Sequence, residues 1–312
     1  MIKHVDYFVP PDQLSVDLIF DCAEKQGRLP KAFKTGQEGS DFFKSVIGLH
    51  NVAHSKALTP VDMVSSLLSN FFNLEIASRE SIDLLVFVDE KMRQDHGNEN
   101  IGHFLQYSFA LFNADVLVLS GNHCANLEYA IAFCESLIVA GSFKNILIVD
   151  ANVHMDEPGR IVGTYAVHGD GAGLIYLTKG SKDGVHIVGK HSYTNGLLHK
   201  ADLDENNALI LCKNYLACLS KFVSKFRLTN TDISKILIQN ANHLLVAQCV
   251  ASVGFDAQKL FLENVARFGH LNSIDFVVNL KSLMQQKLSV PRLFSFGTGW
   301  AGSNICLLME MA

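Results

Sequence analysis

Of the side chains able to do covalent chemistry, Cys124 holds the most informative position. It follows a short apolar run (residues 116–119) after the polar connection Ser120-Gly121-Asn122-His123, and it opens a helix-period segment at residues 125–140. A thiol at a helix N-terminus meets the positive end of the helix dipole and loses its proton more readily. Backbone N–H groups of the same turn can also stabilise an oxyanion, so a nucleophile and part of an oxyanion hole would coincide there. The plainer alternative is a small buried apolar side chain, the usual fate of a free cysteine. Cys134, ten positions further along the same segment, reads as core.

Two glycine-rich stretches invite a phosphate-binding reading, and both fail it. Gly297-Thr298-Gly299-Trp300-Ala301-Gly302 has the GxGxxG spacing after a strand-like run, but the ten residues that follow resemble a strand. A dinucleotide loop must open a helix whose N-terminus holds the pyrophosphate. Gly169-Asp170-Gly171-Ala172-Gly173 likewise runs into a strand-like LIYLT. Neither stretch carries the lysine of a nucleoside-triphosphate loop.

These residues need elements to position them, and the chain supplies a regular alternation. Strand-like runs occupy residues 82–88, 115–119, 145–149, 235–238, 292–296 and 304–309. Helix-like segments fall at residues 60–72, 125–140, 206–226, 241–253 and 273–286. Continuous apolar runs of five to seven residues between helices indicate strands covered on both faces. IDLLVFVDE and ISKILIQNA occupy equivalent places, each the strand after the first long helix of its half. The order predicts two similar α/β halves, residues 1–180 and 181–312.

Composition narrows the function classes. The 312 residues are 48% hydrophobic and 18% charged, enough apolar material for a large core. No stretch reaches the 18 uninterrupted apolar residues of a spanning helix, and the N-terminus lacks the apolar centre of a secretory signal. A net charge of −5 argues against a surface that tracks nucleic-acid phosphates. Seven cysteines form no CxxC and no ligand quartet, which predicts reduced thiols in a cytoplasmic protein without a metal.

The succession SGNHCANLEYAIAFCESLIVAGSFKNILIVDA, HGDGAGLIYL, ILIQNANHLLVAQCVASVGF, RFGH and FSFGTGWAGS resembles the thiolase superfamily, over essentially the whole chain. The nearest branch is the ketoacyl-carrier-protein synthase III kind. The resemblance implies a duplicated α-β-α-β-α sandwich, usually dimeric. It also implies a cysteine that takes an acyl group from a coenzyme A or carrier-protein thioester and passes it to an acceptor, with no cofactor. Cys124 falls on that nucleophile, and Gly169 to Gly173 on the family's GDGAG loop. Phe296 to Gly299 fall on its FGGG loop, so the resemblance puts the oxyanion hole at the backbone N–H groups of Cys124 and Thr298.

The chain departs from the branch where the branch has a catalytic His and Asn. Those positions are Gln239, in Gln239-Asn240-Ala241-Asn242, and His270, in Arg267-Phe268-Gly269-His270. An amide followed by a Gly-His resembles thiolases proper. The set Cys124, Gln239 and His270 then implies that His270 deprotonates the thiol while Gln239 donates to a thioester oxygen. The second cysteine of thiolases has no counterpart here, and decarboxylative condensation loses its usual pair. Phe42, Asn242, Phe296 and Gly297 are the expected substrate contacts. His123 and His243 are expected to point elsewhere.

Phe42 and Val46 replace the branch's adenine-sandwiching Trp and Arg, which removes a stacking plane and a phosphate partner. Leu244, Ala251 and Ser252 replace basic residues that dock an acidic carrier protein; Lys221, Lys225 and Arg227 are a substitute patch or simply a solvated helix face. Two functions follow. One is an acyltransferase or condensing enzyme of specialised metabolism, acting as a homodimer. The other is a decayed synthase-like subunit that supports an active homologue.

Overall fold

Alternation along single strands shows how the layers are built. In Leu84–Val88, Leu84, Val86 and Val88 join one hydrophobic cluster while Leu85 and Phe87 join another. The same split separates Ile146 and Ile148 from Leu147 and Val149. In the second half it separates Leu293 from Phe294 and Phe296. A strand with both sets of side chains buried must lie between two layers.

The computed structural model describes residues 1–89, 100–154, 156–180, 183–198, 205–286 and 291–311. Ten strands form the main sheet: Ile2–Phe8 (β1), Leu84–Val88 (β2), Asp115–Leu119 (β3), Asn145–Asn152 (β4), Gly171–Thr178 (β5), Val185–Thr194 (β6), Lys235–Ile238 (β7), Leu260–Phe261 (β8), Arg292–Thr298 (β9) and Ser303–Met311 (β10). Their order is β8-β7-β9-β10-β6-β1-β5-β4-β2-β3. Each set of five reads third, second, fourth, fifth, first. In each, the second strand lies parallel to the third and fourth, and the fifth runs antiparallel to the fourth and first. The two sets join where Ile2 of β1 pairs with Val185 of β6.

Helices complete the layers. Pro60–Asn73 (α1) covers the outer face of the first set, started by Thr59 and Asp62 in a reciprocal capping box. Asn126–Ala140 (α2) and Asp275–Gln285 (α5) fill the space between the two sets. Glu205–Phe226 (α3) and His243–Ser252 (α4) cover the outer face of the second. The chain is therefore a duplicated α-β-α-β-α sandwich, as expected.

The differences from the expected elements have local causes. The segment around Cys124 starts with a 3-10 turn, His123–Ala125, before α2. α4 begins at His243 because the Asn242 side chain caps it, accepting from the Leu244 N–H. Ile2–Phe8 escaped the sequence reading because its apolar residues are interrupted by Lys3, His4 and Asp6.

Candidate active site

The parallel strands β2, β3 and β4 end on one edge, and loops beyond the carboxyl ends of such strands are where α/β sheets hold ligands. After β3 the chain turns through His123, whose φ of +50 is costly for a residue with a side chain, into Cys124. Cys124, His123, Val162, Tyr165, His168, His270 and Trp300 line a cavity of about 190 Å³. The structure thus brings Cys124 and His270 to one cavity, from opposite halves of the chain. The Cys124 Sγ also lies 3.8 Å from Asn272 Oδ1.

His270 is almost wholly buried, and its Nδ1 sits 2.5 Å from Asp275 Oδ2. Asp275 also accepts from the Asn240 N–H at 2.7 Å, Asn240 Nδ2 at 3.1 Å and the Leu271 N–H at 2.8 Å. A carboxylate so placed only accepts, which assigns the proton to Nδ1 and leaves the Nε2 lone pair available. Nε2 has no hydrogen-bond partner.

Gln239 does something different from the expected donation to substrate. Its Nε2 donates to the backbone carbonyls of Cys124 at 2.8 Å and Thr298 at 2.7 Å. Its Oε1 accepts from Tyr165 Oη at 3.0 Å and Thr298 Oγ1 at 2.7 Å. Both amide hydrogens are occupied, so Gln239 ties the Cys124 turn to the end of β9 and holds Thr298 beside it. Burial pushes the Tyr165 phenol well above its usual range, keeping it a hydrogen-bond donor.

The expected substrate contacts lie elsewhere. Strand alternation turns Phe296 to the outer face, where its ring packs edge-on against Tyr215 at 5.4 Å. Gly297 faces inward, but a Cβ there would stand 2.6 Å from Glu128 Oε1, so that space is filled by protein. Asn242 caps α4 and donates to the Thr164 carbonyl. Phe42 packs among Phe33 and Phe43. None of the four lines the cavity. His123, expected to point away, does line it, and burial lowers its proton affinity. His243 does not line it.

Glu128, one helical turn after Cys124, is a second buried acid. Its Oε2 has no hydrogen-bond partner, and burial, with Asp275 and Asp150 nearby, pushes its carboxyl well above the usual range. Behind the cavity, Arg160 is fully buried and grips Asp170 through Nη1 at 2.9 Å and Nη2 at 2.8 Å. Burial alone would raise the Asp170 carboxyl; hydrogen bonds from His154 and Arg160 and the guanidinium charge hold it well below its ordinary range. Asp170 belongs to the GDGAG loop, whose Gly169 leaves no room for a Cβ beside the Phe268 carbonyl at 2.6 Å. Among the described residues no cluster of His, Cys, Asp and Glu is arranged to hold a metal.

Sequence reasoning missed Tyr165, His168, Asn272, Asp275 and Trp300. His168 directly precedes the GDGAG loop, and Asn272 and Asp275 follow His270 within five positions, so proximity to the motifs was the available signal.

No family model matches the chain. A curated beta-ketoacyl-[acyl-carrier-protein] synthase III of Chlorobium luteolum is 22% identical over 216 residues, 57% of this chain and 64% of that protein. The matched stretch thus spans just under two thirds of that relative. A synthase III of Acholeplasma laidlawii is 22% identical over 256 residues, 78% of this chain and 81% of the relative. Among solved structures, ChlB3, described as an acyltransferase, superposes with a TM-score of 0.79 at 19% identity, over 99% of this chain and 97% of its own.

Proposed function

We propose, for this chain of the thiolase superfamily and its synthase III-like branch, a cysteine-dependent acyl transfer centred on Cys124 and His270. The Cys124 Sγ attacks the carbonyl carbon of a coenzyme A or carrier-protein thioester, and its proton passes to His270 Nε2. Collapse breaks the bond to the donor sulfur, and the same proton leaves with the donor thiol. The acyl group, now on Cys124, passes to an acceptor, which releases the thiol for another cycle. Backbone N–H groups of Cys124 and Thr298 would hold the oxyanion in both stages. Gln239 is a positioning residue in this reading, because its amide nitrogen donates to the carbonyls of both.

The observation that carries the proposal is His270. Its Nδ1 is locked on Asp275, and its Nε2, without a hydrogen-bond partner, belongs to a ring lining the same cavity as the thiol. A site that had lost its chemistry would have no need of a base so oriented. Departure from the branch at Gln239 and His270 supports a place in specialised rather than housekeeping metabolism.

β3 is an edge strand, half-exposed, and Phe104, Tyr107, Phe112 and Phe133 lie open nearby. An exposed strand edge with an apolar surround fits a dimer interface. The boundary between halves falls near residue 180, between the end of β5 and the start of β6. Seven free cysteines suit a cytoplasmic setting, and among the described residues no helix is long and apolar enough to cross a membrane.

The decisive experiment is intact-protein mass after incubation with acyl-coenzyme A and acyl-carrier thioesters, beside Cys124→Ala. An added acyl mass that the variant lacks supports the reading and names the donor. No adduct from folded protein would leave the supporting-subunit role.

A further inference from the structure

We infer that His168 is a second base in this cavity, the one that accepts the proton of the incoming acceptor, and that the acceptor is an alcohol, an amine or water. The inference rests on the acyl-cysteine reading above. The rings of His154, His168 and His270 form a continuous stack. His154 and His168 lie with centroids 4.6 Å apart and planes at 13°, His168 and His270 with centroids 5.0 Å apart and planes at 25°. All three are buried. A carboxylate stands at each end: Asp170 Oδ1 lies 3.3 Å from His154 Nδ1, and Asp275 Oδ2 lies against His270. Only the middle ring and His270 reach the cavity.

His168 is held there by its backbone. Its N–H donates to the Arg160 carbonyl at 2.8 Å, and its carbonyl accepts from Arg160 Nη1 at 3.2 Å. The next residue, Gly169, donates its N–H to the His270 carbonyl at 2.9 Å. Two basic rings are thereby fixed side by side against one cavity that also holds a thiol.

Charge makes the two rings complementary rather than redundant. Two imidazolium rings this close would repel one another strongly where water is scarce, so the two rings suit successive steps rather than the same one. Loading uses His270, which takes the Cys124 proton and returns it to the departing thiol. Transfer needs a proton removed from another place, the acceptor, as it attacks the acyl carbon. In that step the new bond from oxygen or nitrogen to carbon forms, and the carbon–Sγ bond breaks with its electron pair kept on Sγ. The acceptor proton goes to His168. Return of that proton to Sγ restores the thiol. A carbanion acceptor brings no proton to remove, and a second base would then be superfluous.

The test uses p-nitrophenyl acetate to acetylate the enzyme. The nitrophenolate burst reports loading, and intact mass reports the decay of acetyl-enzyme. In His168→Gln the burst should persist, slowed far less than the decay of acetyl-enzyme. Decay by water and by added ethanol should slow about 100-fold, the scale of a lost general base. Decay by trifluoroethanethiol, which attacks as its thiolate, should remain unchanged, and His168→Phe should behave alike. Equal effects on ethanol and thiolate, no effect on either, or loss of the burst in folded variant would overturn the inference. If the parent enzyme shows no Cys124-dependent acetylation at all, the acyl-cysteine reading itself fails, which is a separate outcome.

Discussion

At the scale of single residues, Cys124 and His270 line one cavity, and the His270 Nε2 has no hydrogen-bond partner. Replacing His270 with Gln should lower the rate of Cys124 acylation by about 10² to 10⁴, measured by burst kinetics, because the proposed general base is lost while the cavity remains. Asp275→Asn should slow acylation as well, since an amide no longer demands the Nδ1 proton, and its effect should vanish in the His270→Gln background. Glu128 gives a stability prediction with a definite sign. Its folded-state affinity for a proton lies well above the ordinary value of 4.5, chiefly because it is buried. Below that value both folded and unfolded forms are protonated. As pH rises above it the unfolded chain ionises first, so Glu128 makes the protein progressively less stable, by up to about 1.4 kcal/mol per pH unit. Urea titrations of Glu128→Gln should lose this dependence and show greater stability at pH 8. Cys124 and His270 were legible because motif and spacing mark them. His168 and Glu128 were not: ring stacking and a carboxyl turned inward are consequences of tertiary packing that no local pattern records.

At the scale of elements, β2, β4, β7 and β9 were legible because strands covered on both faces are written as unbroken apolar runs, and β3 carries such a run although it is a half-exposed edge strand. The side to which a particular residue points was harder to read. Phe296 and Gly297 share a motif, yet the two-residue period of β9 sends the phenyl ring into the outer core and the glycine against Glu128. Gln239 was placed at the right strand end, but its hydrogen bonds reach residues 115 and 59 positions away, beyond any sequence window. The segment joining β4 to β5 has its own anchor in the buried Arg160–Asp170 pair. Arg160→Met would leave a carboxylate buried without its cation, at a cost of about 3–5 kcal/mol, readable as a lower midpoint in chemical denaturation. Because that segment carries Tyr165 and His168, acylation and transfer should both suffer even in protein that remains folded.

At the scale of the whole molecule, the exposed edge of β3 predicts association. Tyr107 and Phe112 are 76% and 70% exposed beside it. Changing both to Asp should halve the mass measured by light scattering coupled to size exclusion, if this face closes a dimer. The joint between Ile2 and Val185 bears on a different property. Cys124 and His168 come from one side of it, and Gln239, His270 and Thr298 from the other, with α2 and α5 packed into a single apolar layer between them. Neither side holds all the residues of the proposed site. Turnover is thus a direct gauge of folding cooperativity: in rising denaturant, activity and helical signal should disappear along the same curve, with no active fragment left behind.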